Sequence, residues 1–171
     1  MTLFVAGMLA GASMVNAERS NGVGGPKPPP VYVGTKGESV RAAQGSYCYG
    51  GRGTTLCADF AYPLRVTTRL PATGAQRLTV DAGKRVQRLS GSLVNVEDQD
   101  VDYLGAVRTR RTGKGRFWKL RLPADLAGAN VLNLDISFKR NLGSSNVWAG
   151  LATDGNTGAR IPSGRASKST G

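Results

Sequence analysis

Cys48 and Cys57 are the only thiols in the chain, and a Gly50-Gly51-Arg52-Gly53 turn lies between them. Two cysteines on either side of a tight turn suit a disulfide that closes a hairpin-like loop. A stable disulfide in turn implies an oxidising compartment. Glu97-Asp98-Gln99-Asp100-Val101-Asp102 is the one acidic cluster. On a strand Asp98, Asp100 and Asp102 project to one face, where carboxylate oxygens can hold Ca²⁺. An EF-hand loop needs Gly at its sixth position and Glu at its twelfth, and counted from Asp98 those positions hold Tyr103 and Thr109. The cluster therefore reads as a solvated turn offsetting nearby arginines. A glycosidase pair needs two carboxyls about 5 to 9.5 Å apart across a cleft, one with a raised pKa, and clustered exposed acids give no sign of one. Asp59, beside Cys57, reads as an acceptor of backbone hydrogen bonds at the hairpin end.

The densest basic run is Arg108-Thr109-Arg110-Arg111-Thr112-Gly113-Lys114-Gly115-Arg116, five positive charges in nine residues with no acid. At a hairpin tip it would reach phosphates or sulfates, and Lys119 and Arg121 continue the stripe. Phe117 and Trp118 follow directly, so a stacking platform is conceivable. Trp118 is in phase with Leu120 and Leu122, which places it in the core and leaves the arginines on a solvated rim. The formal net charge of +12 fits nucleic acid, anionic lipid or anionic cell-wall polymer as partner. A GC-rich coding bias, in a chain where Arg well outnumbers Lys, is the favoured reading of that charge, because net charge speaks to solubility and non-specific binding rather than to fold. The chain has no histidine, which excludes Ser-His-Asp and Cys-His nucleophile systems and His-containing metal sites within it. Two cysteines exclude a four-cysteine zinc site. Gly50-Gly51-Arg52-Gly53 lacks the Lys-Ser/Thr ending and the strand-to-helix context of a phosphate loop. No catalytic, metal or cofactor-binding residue is identified, and the only site residues assigned are the disulfide pair.

The elements that must carry these residues are strands. Gly is abundant and the apolar runs are short. Residues 1–17, apolar and uncharged and ending Val15-Asn16-Ala17, read as a secretory signal; the rival is an uncleaved apolar anchor, marginal for a core of ~30 Å. Leu9-Ala10-Gly11-Ala12 has the form of a lipobox with Ala12 where a lipidated cysteine would stand. Residues 18–30 read as a linker, with Pro26-Lys27-Pro28-Pro29-Pro30 as stiff polyproline II. Strands are expected at Val31 to Gly34, Ser46 to Tyr49, Leu56 to Phe60, Leu64 to Thr67, Arg77 to Val80, Val86 to Val96 (with Gly91 as a bulge) and Tyr103 to Arg108. Three more are expected at Arg116 to Leu122, Asn130 to Phe138 and Val147 to Leu151. Leu70-Pro71 reads as a break. Short strands separated by Gly, Pro and Asp turns predict an all-β, antiparallel, immunoglobulin-like β-sandwich over residues 31–151. Residues 152–171 read as a disordered basic tail.

Gly45-Ser46-Tyr47-Cys48-Tyr49 followed by Cys57-Ala58-Asp59 resembles the Gly-Ser-Tyr-Cys-Trp … Cys-x-Asp signature of small secreted or lipoprotein-like proteins of Gram-positive bacteria. Trp118-Lys119-Leu120-Arg121-Leu122-Pro123, then Gly128 and Asn130-Val131-Leu132, fits the end of that pattern. Tyr49 stands where Trp is usual. The resemblance spans roughly residues 31 to 151. It implies a β-fold and an extracytoplasmic location, and brings no reaction with it. The first functional expectation is a secreted, non-enzymatic, cell-envelope-associated β-domain. The alternatives are a polyanion-binding module using residues 108–119, with an anionic cell-wall polymer as partner, and a carboxylate-dependent hydrolase.

Overall fold

The computed structural model describes residues 26–153 apart from 36, 52–53, 61–65, 98–99, 114 and 127. The expected signal, most of the linker, the strand start at Leu64 and nearly all of the tail lie outside the described residues. Among the described residues eleven strands follow in chain order: β1 (Tyr32–Gly34), β2 (Ser39–Arg41), β3 (Ala43–Gly51), β4 (Thr54–Ala58), β5 (Arg69–Pro71) and β6 (Arg77–Asp81). Then come β7 (Val86–Glu97), β8 (Asp100–Thr112), β9 (Phe117–Arg121), β10 (Val131–Phe138) and β11 (Gly143–Ala152), with a single 3₁₀ turn at Lys139–Asn141.

The strands are hydrogen-bonded in one path, β2-β1-β6-β9-β8-β7-β10-β11-β3-β4, with β5 alongside β11. All pairings are antiparallel except β5 with β11. The fold is all-β with one disulfide, and the sheet curls into a half-barrel. β1, β2, β6, β9 and the end of β8 form one set of ladders, and β3, β4, β5, β7, β10, β11 and the start of β8 form the other. The long β8 joins the halves, with Val107 and its predecessors on β7 and Arg108 to Thr112 on β9.

Period-two alternation decides which side chains face the inside of the curl. Leu132, Leu134, Ile136 and Phe138 of β10 point inward with Trp118 and Leu120 of β9 and Leu78 and Val80 of β6, forming one buried cluster. Each such side chain contributes about 1.5–3 kcal/mol on burial. A smaller cluster on the outer side joins Val94, Val96, Val131 and Trp148, with Val66 against it. Asn130, buried, closes its rim by bonding the backbone N–H and C=O of Val96, both at 2.8 Å.

Three local expectations change. Gly91 is not a bulge: it sits in register with Val107 and Leu134, and a Cβ there would lie 3.1 Å from the Leu134 side chain. Its missing side chain makes room for the inner layer. The β7–β8 irregularity lies between Leu93 and Val94. The expected break at Leu70-Pro71 is instead the short parallel strand β5, with Leu70 fully buried and Pro71 ending it. An edge position tolerates the missing N–H of proline. At the other end β11 runs to Ala152, and Thr153 is buried with its hydroxyl on the Ala129 carbonyl at 3.3 Å.

Candidate anion-binding face

The basic run does not form a tip. Arg108 to Thr112 lie within β8, and of the described residues only Gly113, Gly115 and Arg116 turn before β9 begins at Phe117. Alternation then sorts the cations. Val107 is inward, so Arg108 and Arg110 point outward; Trp118 and Leu120 are inward, so Lys119 and Arg121 point outward. Leu78 and Val80 likewise leave Arg77 and Thr79 outside on β6.

Register brings these side chains together. Arg121 pairs with Arg108 on one side and Arg77 on the other. One step along, Lys119 pairs with Arg110 and with Thr79. Five cations therefore occupy two adjacent rows across three strands. Strands lie about 4.8 Å apart and alternate residues about 6.7 Å apart. All five are exposed and no acid lies among them. Like charges directly opposite on a sheet are destabilising, so local packing gives no reason for this arrangement. A shallow cleft of about 770 Å³ adjoins the face, lined by Thr35, Glu38, Gln76, Arg77, Thr79 and Lys119.

The third row differs. Asp81 pairs with Phe117 across one ladder and Tyr32 across the other. Its carboxylate takes Arg116 in a bidentate ion pair with the shortest contact 2.6 Å. The Arg116 hydrogen bond, aided by the Gly83 backbone N–H, holds the Asp81 carboxyl below its usual range against a smaller opposing effect of burial, and Asp81 raises Arg116. The Arg116 guanidinium also lies 5.4 Å over the ring of Phe117, which is 44% exposed.

Arg111 points the other way. Its guanidinium covers Trp118 at 5.7 Å and reaches the carbonyls of Val86 and Gly115. Gly115 has φ +81°, and any Cβ there would collide with that guanidinium. Trp118 is core, as its phase with Leu120 and Leu122 predicts. Its indole N–H is buried without a partner among the described residues.

The expected basic run thus divides. Arg108, Arg110 and Lys119 share the outer face with Arg121, Arg111 seals the core, Arg116 is neutralised by Asp81, and Lys114 is outside the described residues. Arg77 was not part of the run; it lies over thirty residues earlier, and only the β6–β9 register reveals it. The acids are not brought together as a catalytic pair. Asp100 and Asp102 are on β8, Glu97 opposes Asp100 on β7, and Asp59 follows β4, five places away along the sheet. Asp98 is outside the described residues. Among the described residues no group of three acids or cysteines is placed to hold a metal ion, and no helix is long and apolar enough to cross a membrane.

Cys48 and Cys57 are bonded, directly opposed on the exposed β3–β4 hairpin with Cα atoms 4.0 Å apart. No family model, no curated protein and no solved structure matches the chain.

Proposed function

We propose that the protein is a non-enzymatic, extracytoplasmic β-domain that holds an anionic polymer of the cell envelope on the outer face of β6, β9 and β8. The observation that carries this reading is the register-aligned set Arg77, Arg108, Arg110, Lys119 and Arg121, exposed and with no acid in its two rows, although Glu38 borders the adjoining cleft. A flat face without an enclosing cavity suits a flexible chain of repeated phosphates better than a small substrate. The disulfide supports an oxidising location, and the Gly45 to Asp59 signature supports a cell-envelope setting. The immunoglobulin-like character expected from the strand pattern is not needed for the reading.

Each phosphate neutralised on a flexible chain releases counterions, and five contacts would give a slope of log affinity against log salt of about −3.5. The test is binding to a poly(glycerol phosphate) teichoic acid, with heparin and DNA alongside, as salt is raised. Changing all five cations to Ser should abolish the salt-dependent component while the protein stays folded. Undiminished binding by that variant rejects the face.

A further inference from the structure

The turns from β6 to β7, from β8 to β9 and from β10 to β11 meet at one end of the half-barrel. The Lys139 N–H donates to the Arg85 carbonyl at 2.7 Å, and the Ala82 N–H to the Arg116 carbonyl at 3.4 Å. The Arg111 guanidinium ties the start of β7 to Gly115. The chain enters at the same end. Pro26, Lys27 and Pro29 share a hollow of about 450 Å³ with Gly83, Lys84 and Arg85.

This end is basic. Residues 26–31, 81–86, 112–117 and 138–143 together contain seven Lys and Arg and one acid. The acid is Asp81, and Arg116 occupies it. Lys84, Arg85 and Arg140 are exposed, and Lys139 is half-buried. The segments that join strands at the opposite end, residues 72–76, 97–100 and 122–130, contain Glu97, Asp98, Asp100 and Asp125 and no Lys or Arg. The two sets of connections therefore differ in sign.

Turn geometry does not ask for these cations. Arg140 and Asn141 have φ of +59° and +54°, and the Leu142 N–H closes their turn on the Lys139 carbonyl at 3.3 Å. Asn and Gly are the favoured residues of such a left-handed pair. Asn141 suits its place, whereas a left-handed arginine is disfavoured by its Cβ. Arg140 thus puts a cation at the tip against the local preference of the backbone.

Two rings stand at the rim of the same end. Tyr32 and Phe117 flank Asp81 on the ladders and are 41% and 44% exposed. Basic side chains and exposed rings at one level suit an anionic bilayer surface, where phosphates take the cations and the rings enter the interface. A polymer of phosphates has no apolar layer for the rings. Residues 1–17, apolar and uncharged, are tethered to this end by a segment that spans at most about 30 Å.

We propose that this basic end docks on a bilayer surface of anionic phospholipid, with Lys84, Arg85, Lys139 and Arg140 on the headgroup phosphates and Tyr32 and Phe117 in the interface. The strands then rise from the bilayer, and the outer face of β6, β9 and β8 is presented to the side. The docking does not depend on the polyanion reading of that face.

Cosedimentation of the full chain with vesicles tests it, with equal parts phosphatidylglycerol and phosphatidylcholine compared against phosphatidylcholine alone. Binding should need the anionic lipid and weaken as salt is raised. K84S/R85S/K139S/R140S should weaken it by at least about tenfold, with an unchanged circular dichroism spectrum. Y32W and Y103W report the orientation. Tyr103 is 66% exposed and lies near the opposite end, and the native Trp118 and Trp148 are buried. Anionic vesicles should therefore blue-shift the fluorescence of Y32W and leave that of Y103W unchanged. Equal binding to phosphatidylcholine alone overturns the proposal and assigns the attachment to the apolar N-terminal stretch. Undiminished binding by the quadruple variant also overturns it, as does a shift in Y103W without one in Y32W. If the quadruple variant loses poly(glycerol phosphate) binding and Y32W shows no shift on vesicles, the end is a polymer site and the bilayer proposal is rejected.

Discussion

The two faces of the β6–β9–β8 ribbon are built from the same alternating strands, yet they have opposite relations to stability. Inward, Leu78, Val80, Trp118, Leu120 and Val107 are buried and join the main core. Outward, Arg77, Lys119, Arg121, Arg108 and Arg110 set like charges against one another. The inner face lowers the free energy of the fold; the outer face raises it slightly. A sheet can therefore keep a locally unfavourable cationic surface, because the other side of the same strands compensates. The physical consequence is that stability and anion binding should be separable by substitutions one residue apart.

The largest effect belongs to the inner face. Trp118→Ala removes a buried indole from under Arg111, and such truncations cost about 3–5 kcal/mol. Urea unfolding should show that loss. The fraction still folded should bind polyanion with an unaltered salt slope, because no outer cation is changed. A large fall in slope would mean that the two faces are not separable.

The disulfide supplies a control remote from both faces. Cys48 and Cys57 enclose a loop of about ten residues, for which the chain-entropy estimate is about 2.7 kcal/mol. The double Ser variant should unfold at correspondingly lower urea concentration. Its affinity for polyanion at equal folded fraction should match wild type. If affinity falls with stability here, weaker binding in other variants says nothing about the cationic face.

How much of this was legible beforehand follows from the range of each signal. Alternation is local, and it placed Trp118, Leu120, Leu132, Leu134, Ile136 and Phe138 inside and the cysteines across a hairpin. Register is not local. Nothing near Arg77 indicates that it will stand beside Arg121, and although alternation with Val107 turns Arg111 inward, nothing near it indicates that Trp118 will be its ladder partner. The basic run looked like a loop because Gly113 and Gly115 interrupt it, whereas of its described residues only Gly113, Gly115 and Arg116 turn. The curl was likewise hidden. It depends on one strand, β8, changing neighbours between Val107 and Arg108, and the composition of β8 does not mark that point. Gly91 drew attention as a possible bulge, but its role depends on Leu134, more than forty residues later.

A smaller effect, opposite in sign for the two properties, belongs to the outer face. Arg121 lies between Arg108 and Arg77. Arg121→Thr removes two like-charge oppositions and adds a residue suited to a strand. Stability should rise by about 0.2–1 kcal/mol, most at low salt, with the gain shrinking as the Debye length falls to about 3 Å at 1 M. Over the same range polyanion affinity should drop and its salt slope should become shallower by about 0.7. A residue whose removal stabilises the fold while weakening binding is hard to explain as a passive solvated rim. If Arg121→Thr destabilises the protein, the outer rows are structural after all.

The smallest effect tests the boundary of the face, where Asp81 neutralises Arg116. That pair is partly exposed, with side-chain accessibilities of 54% for Arg116 and 21% for Asp81, so at neutral pH Asp81→Asn should cost no more than about 1 kcal/mol. The pH dependence identifies the group. Asp81 titrates below its ordinary value in the folded protein because the Arg116 hydrogen bond favours the carboxylate. The unfolded chain therefore binds the proton first, and the stability contributed by the pair is present above a pH of about 3.9, the unfolded value. It is lost as pH falls through the lower folded value. Urea midpoints of wild type and Asp81→Asn should accordingly differ at pH 7 and converge as the pH is lowered below 3.9. The same substitution releases Arg116 beside Phe117 and should make polyanion binding steeper in salt by about 0.7. Convergence without steepening would confine the anion site to the two upper rows. Steepening would show that the face ends at Phe117 only because Asp81 occupies its next cation.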